Sequence, residues 1–508
     1  VPRGAGKRRF RAETVGYLKG ARTFAPGGPL AASTSHVSTD IPFRLDRLPW
    51  ARWHWIIVIG LGITWILDGL EVTIVGTIGP TLTSKNGLGL SDPQATAAGT
   101  TYLIGACLGA LVFGYLTDKL GRKKLFLITL TWYLVSTVLT AFAWDFWSFA
   151  IFRMLAGAGI GGEYSAVNSA IDELIPAARR GVADIAINGS WWIGTLIGSL
   201  VSVPLLNGRF IAPSLGWRLA FGLGALLALA VLAIRRGIPE SPRWLLTHGR
   251  HDEAEAIVAE VEAEVARETG AALPPPSDRK LTFDASRKHG IIDTVIAMAK
   301  TYPRRTVLVM TLMITQAFLY NAVFFTQGLT LTTFFEVAPG DVGLYIIPFA
   351  IGNFAGALIL GHFFDVVGRK IMISGCYIVS GVLLVVTALL FLHHDLTATT
   401  IALCWSVMFF FASAGASAAY LTVSEIFPLE TRAAAIAVVY AVGTLVGGAL
   451  APLVYGYLIA SKEPRMLAAG WLFGAALMIA GGMVEIVLGV DAERKSLEDV
   501  AAPLTLAA

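Results

Sequence analysis

Two carboxylates, Asp68 and Glu71, stand three residues apart in Trp65-Ile-Leu-Asp-Gly-Leu-Glu-Val-Thr-Ile-Val-Gly76, a stretch otherwise built for an apolar environment. On a helix that spacing puts both on one face. An ionised carboxylate at the centre of a bilayer costs about 2.5–3.5 kcal/mol on insertion scales. Such groups therefore face an aqueous cavity, pair with a cation, or carry a proton. Arg153, in another apolar stretch, is the evident cation. Paired with Arg153, Glu71 stays charged; separated from it, burial favours the neutral acid and Glu71 takes up a proton. Glu71, Asp68 and Arg153 are thus the proton-coupling candidates, a static ion pair for packing being the alternative.

A second group of residues suits a small solute. Gln316, Tyr320, Asn321, Phe324 and Phe325 set amides among aromatics, a composition that fits a hydroxylated or carboxylated ligand. Asn188, Trp191, Trp192 and Asn353 extend the set, with packing or interhelical hydrogen bonding as their competing role. Glu163 follows Gly157-x-Gly159-x-Gly161-Gly162 and faces either the solute cavity or a buried hydrogen bond. Those glycines do not make a dinucleotide loop, because no strand precedes them. Within a membrane they permit close helix approach.

The three cysteines lie inside apolar segments, so neither a disulfide framework nor a metal site is expected. His393 and His394, beside Asp395, read as a solvated loop. No cofactor is expected beyond the proton as coupling ion, and no nucleophile–base set suggests an enzyme. The net charge of +4 comes without a basic–aromatic patch, so nucleic acid is not an expected partner.

The elements that must position these groups are long. Of 508 residues 55% are hydrophobic and only 15% charged, and apolar segments of about 20 residues, enough to cross a bilayer, recur throughout. The expected fold is an all-α polytopic membrane protein of twelve transmembrane helices in two six-helix bundles. The spans fall near 55–79, 96–116, 125–143, 147–171, 183–205 and 217–236, then 306–335, 342–364, 371–393, 398–427, 433–460 and 468–490. The expected divisions are a polar tail with an interfacial Arg/Trp helix (1–54), a first bundle (55–236), a helix-containing linker (237–305), a second bundle (306–490) and a tail (491–508). Residues 1–50 contain no apolar core followed by a small-residue cleavage site, so no signal peptide is read. Basic residues gather on one side (Lys119, Arg122–Lys124, Arg179, Arg180, Arg369, Lys370, Arg432). That side, with both termini, is expected to be cytoplasmic and the membrane to be the cell membrane.

Between the second and third spans runs Gly114-Tyr-Leu-Thr-Asp118-Lys-Leu-Gly121-Arg122-Lys-Lys. About 247 residues later Gly361-His-Phe-Phe-Asp365-Val-Val-Gly368-Arg369-Lys repeats it, the mark of an internal repeat. Likewise Glu173-x-x-Pro-x-x-x-Arg180 recurs as Glu425-x-x-Pro-x-x-x-Arg432. Glu and Arg at adjacent helix ends pair when that face is shut and part when it opens, so Gly114, Asp118, Gly121, Arg122, Glu173, Arg180, Asp365, Arg369, Glu425 and Arg432 form the expected gating network.

The first loop matches at every defined position the signature G-x-x-x-D-[RK]-x-G-R-[RK]-[RK] of the major facilitator superfamily, which the chain resembles. Several patches are similar to its sugar-porter branch: Gly69–Gly76, Pro239-Glu-Ser-Pro-Arg-Trp-Leu, the spacing of Gln316 and Asn321, and Ser496-Leu-Glu-Asp near the end. Asp68-Gly-x-Glu71 looks more like aromatic-acid:proton symporters, and Gly161-Gly-Glu-Tyr164 like phosphate or metabolite symporters. The resemblance implies a monomeric secondary transporter moving a small solute by alternating access about a midplane site. The expected function is proton-coupled symport of a sugar or an organic or aromatic acid. Its rivals are a uniporter, a phosphate:proton symporter and a non-transporting nutrient receptor.

Overall fold

Helix starts and stops in this chain follow local chemistry. Proline enters at the first turn of Asp92–Leu120, Pro303–Phe324 and Pro464–Leu488, where an amide hydrogen has no partner to lose. Ser91 and Thr397 close capping boxes with Gln94 and Thr400. The computed structural model describes residues 36–85, 87–235, 239–270, 272–275, 280–284, 291–427 and 432–490.

Twelve spans follow in two sets of six. The first set is Arg52–Thr83, Asp92–Leu120, Arg122–Ala141, Phe146–Leu174, Ala177–Leu206 and Pro213–Arg235. The second is Pro303–Phe324 (continued by Gln327–Phe334), Val342–Gly361, Arg369–Leu392, Ala398–Ile426, Arg432–Ala460 and Pro464–Leu488. Among the described residues eleven helices are long and apolar enough to cross a membrane; the fourth span, which carries Arg153 and Glu163, completes the set. Span 11 is interrupted by a π-helical turn, Thr444–Gly448. Among the described residues the fold is all-α except for one antiparallel ribbon outside the bundles, His36–Thr39 against Leu281–Asp284.

The halves pack through spans 2 and 11, spans 5 and 8, and span 1 against the end of span 7. Thr100 Oγ1 donates to Ala449 O at 2.7 Å, and Cys107 Sγ to Ala441 O at 3.4 Å. These contacts join the halves at the end of the molecule away from the Gly121 loop.

A small assembly sits at the other end. The segment expected as one interfacial helix over 44–54 divides: Ile41–Asp46 is a short helix, and Arg52 already begins span 1. The short helix docks on the linker helix His251–Thr269, burying Ile41 and Leu45 with Val258 and Val261. Arg44 donates from Nη2 to Glu262 Oε2 at 2.8 Å and from Nε to Oε1 at 3.2 Å, and Arg47 reaches the same carboxylate at 2.5 Å. Its arginines are thus engaged by glutamates. Burial opposes the charge on Glu262, but the two arginines outweigh it and hold the group below its ordinary range.

Candidate functional site

Span 1 brings Asp68 and Glu71 to the inside of the first bundle, 5% and 1% exposed. Gly69 between them is a requirement of packing: a Cβ there would lie 2.1 Å from the Trp191 carbonyl oxygen. Its absence lets span 5 close on span 1. Trp191 Nε1 then donates to Asp68 Oδ2 at 2.8 Å. The other oxygen, Oδ1, accepts from the Tyr102 hydroxyl of span 2 at 2.5 Å.

Glu71 is ion-paired with Arg153 of span 4, both side chains being fully enclosed. Thr137 of span 3 adds a long hydrogen bond to the second Glu71 oxygen, 3.4 Å. The guanidinium lies 4.4 Å above the Tyr102 ring and 5.7 Å from that of Phe221, a cation–π environment that offsets part of its desolvation. Its Nε and Nη2 have no hydrogen-bond partner among the described residues. One continuous network therefore runs Trp191–Asp68–Tyr102–Arg153–Glu71–Thr137, drawing on five spans. A small cavity beside it is lined by Thr64, Trp65, Asp68, Ile160, Glu163 and Val167. Glu163, read from sequence with the solute set, stands here beside Asp68 instead.

Trp191 links this network to the opposite half. Its ring centroid is 5.0 Å from that of Phe324 on span 7. Trp192 lies 5.9 Å from Phe324, 6.2 Å from Tyr320 and 6.2 Å from Phe349. Phe409 closes the cluster, 4.9 Å from Tyr320 and 4.5 Å from Phe349. The Tyr320 hydroxyl donates to Asn353 Oδ1 at 3.1 Å, and Asn353 Nδ2 donates to Phe349 O at 2.9 Å.

Gln316 is engaged by Tyr420 of span 10 as well as by its own helix. Asn321 Nδ2 donates to Ala317 O at 2.7 Å, and Gln316 Nε2 lies 3.9 Å from the Met313 sulfur. Asn188 is exposed on span 5. The structure thus gathers Trp192, Tyr320 and Asn353 and leaves Gln316, Asn321 and Asn188 outside that cluster. Sequence reasoning missed Tyr102, Thr137, Phe349 and Phe409. Tyr102 carries no signal, being one aromatic in a long apolar run.

The repeated loops differ in detail. Gly121, at φ +87°, joins spans 2 and 3, and Glu240 of the linker caps the start of span 3. Glu240 accepts from Arg122 N at 2.8 Å and Lys123 N at 3.2 Å. A Cβ on Gly121 would meet Glu240 Oε2 at 2.5 Å. In the second copy Gly368 has φ +110°, and Arg369 pairs with Glu425. Arg432 donates to Phe427 O at 3.4 Å. Gly114 lies on span 2; the side chains of Asp118, Glu173, Arg180 and Asp365 fall outside the described residues.

A two-half bundle of twelve spans, with buried charge in one half facing an aromatic cluster between the two, has the fold of the major facilitator class. Residues 53–501 match the family described as Sugar (and other) transporter, and the chain belongs to that family. It is 26% identical over 469 residues to the niacin transporter NiaP of Acinetobacter baylyi (strain ATCC 33305 / BD413 / ADP1), covering 91% of this chain and 99% of that one. It is 27% identical over 479 residues to the inner membrane metabolite transport protein YdjE of Escherichia coli (strain K12), covering 91% and 98%. Its fold is similar to that of the proton:xylose symporter XylE bound to 6-bromo-6-deoxy-D-glucose, with a TM-score of 0.67 at 18% identity over 88% of this chain and 98% of that one. A partially occluded inward-open conformation of the E. coli xylose transporter gives the same TM-score and identity, over 88% and 100%. At that identity the likeness concerns fold alone.

Proposed function

We propose that this chain is a proton-coupled symporter of a small aromatic monocarboxylate, with the basic loops and both termini on the cytoplasmic side of the cell membrane. The observation that carries the reading is the charge balance of the buried network. Asp68 and Glu71, with Glu163 across the small cavity, present three buried carboxylates, whereas Arg153 is the one Lys or Arg that is buried among the described residues. Negative charge is in excess, and protons offset it where low polarity makes unpaired charge costly. Protonating Glu71 releases the Arg153 guanidinium, whose Nε and Nη2 already lack partners. Arg153 is then free to attract an anion, and the cavity shared by Asp68 and Glu163 offers a way out for the proton.

The solute class follows from the cluster beside the network. Trp191, Trp192, Tyr320, Phe324 and Phe349 offer ring faces and few free polar groups, which suits a flat ring with one acid group. A sugar needs many hydrogen-bond partners, yet Asn321 bonds its own helix and Gln316 is engaged by Tyr420 of span 10. Phosphate has no ring to set against these faces and, like a sugar, needs many hydrogen-bond partners. The niacin transporter among the relatives handles an aromatic acid, in keeping with this reading. One proton with one carboxylate anion moves no net charge, so a pH gradient drives accumulation.

The reading is tested by titrating tryptophan fluorescence of the purified protein with nicotinate, benzoate, xylose and phosphate. Saturable changes with the aromatic acids that weaken in Trp192→Leu support it. Changes with xylose or phosphate alone overturn the solute class.

A further inference from the structure

A groove of about 670 Å³ lies on the outer face of span 3, away from the network. Its walls are Leu127, Ile128, Thr131, Trp132, Val135, Ser136 and Leu139, with Leu155 of span 4, and Lys124 stands at one end. Every neutral polar group on it is consumed within the protein. Thr131 Oγ1 donates to Leu127 O at 2.6 Å, Ser136 Oγ to Trp132 O at 2.8 Å, and Trp132 Nε1 to Leu155 O at 2.9 Å. What remains is an apolar trough with one ammonium group at its mouth. Lys124 is exposed and has no ion pair with any described residue. Ile128, Trp132, Val135 and Leu139 are 37%, 44%, 52% and 38% exposed, too open for packed core.

We propose that this groove is a binding site for one anionic phospholipid, its acyl chain along span 3 and its phosphate at Lys124. Length and charge both fit. From Lys124 to Leu139 the helix rises about 22 Å at 1.5 Å per residue. That exceeds the roughly 15 Å of hydrocarbon in one leaflet, half of the usual ~30 Å core. The chain of a lipid in the leaflet beside the basic loop is therefore accommodated over its whole length. Basic groups at the edge of an interhelical groove are the usual receptors of anionic headgroups. Lys119 of span 2, held 4.5 Å over the Tyr115 ring, adds charge near the same level.

The site backs directly onto the machinery. Thr137, next to Ser136, bonds Glu71, and Arg153 stands two residues before Leu155. A bound lipid thus props the span 3–span 4 contact behind the ion pair.

The test compares lipid retention. Protein in nanodiscs of equimolar phosphatidylcholine and phosphatidylglycerol is extracted into mild detergent, and bound lipid is counted by native mass spectrometry. The wild type is expected to keep one phosphatidylglycerol. Lys124→Gln, which leaves the groove intact, is expected to lose preference for it by about fivefold, the effect of one basic group at a membrane surface. Val135→Trp, which fills the trough, is expected to lose both lipids while remaining monodisperse. Unchanged phosphatidylglycerol retention in both variants overturns the site, as does displacement of the lipid by millimolar inorganic phosphate, which would mean that the trough holds nothing.

Discussion

The indole nitrogen of Trp191 donates to Asp68 Oδ2 at 2.8 Å, while its ring lies 5.0 Å from Phe324 of the opposite half. One side chain thus touches both the buried acid network and the interface between the halves. In the proposed mechanism, solute packing against the ring and protonation of the acid are felt at the same residue. Trp191→Phe keeps the ring and removes the donor. Hydrogen bonds to charged groups are worth about 1.5–3 kcal/mol, and 1.4 kcal/mol is tenfold. Uphill accumulation in proteoliposomes is expected to fall tenfold or more, with equilibrium binding of the aromatic acid within a few fold of wild type.

The Glu71–Arg153 pair should be more costly to break than to remove. Arg153→Met leaves two buried carboxylates without a counter-charge and is expected to cost about 3–5 kcal/mol. Glu71→Gln together with Arg153→Met leaves neither charge of the pair, and is expected to recover much of that loss. Thermal unfolding in detergent, followed by a thiol-reactive dye on the buried cysteines, measures the difference. A double variant no more stable than Arg153→Met would contradict the electrostatic account.

Gly69→Ala places a methyl group 2.1 Å from the Trp191 carbonyl. Spans 1 and 5 must then separate, at an expected cost of about 1–3 kcal/mol. Transport should fall further than stability, because the Trp191–Asp68 hydrogen bond depends on that approach. Parallel melting and uptake measurements separate the two effects.

The linker assembly should respond to acid. Arg44 and Arg47 hold Glu262 below the 4.5 of a free glutamate. Its contribution is therefore fully present above that pH and is lost as pH falls through the lower folded value. Protection of the Ile41–Asp46 amides from exchange, relative to their intrinsic rates, is expected to be full at neutral pH and to fall as pH drops through that lower value. Arg44→Gln should show faster exchange already at neutral pH.

These relationships were legible in the sequence to different depths. Asp68, Glu71 and Arg153 announce themselves because ionised groups in apolar spans are expensive, and the repeated loops mark the two halves by register. Tyr102 and Phe349 give no such sign, since an aromatic residue in an apolar run looks like packing until its neighbours are known. Gln316 and Asn321 pose the opposite problem. Their spacing suits a ligand, but an amide four residues after a carbonyl on its own helix, as Asn321 is to Ala317, can satisfy itself locally. Glu240 reads as part of a linker motif, and its capping of Arg122 and Lys123 depends on a fold-back of more than a hundred residues that no local pattern encodes.

The central claim is that Glu71 takes up the coupled proton. Proteoliposomes loaded with a pH-sensitive dye, given nicotinate or benzoate outside, test it most directly when wild type is compared with Glu71→Gln. The wild type is expected to acidify the lumen on solute addition and to accumulate solute down an imposed pH gradient. The variant is expected to do neither while still exchanging internal for external solute. Solute-driven acidification or uphill uptake at wild-type levels in Glu71→Gln would contradict the account.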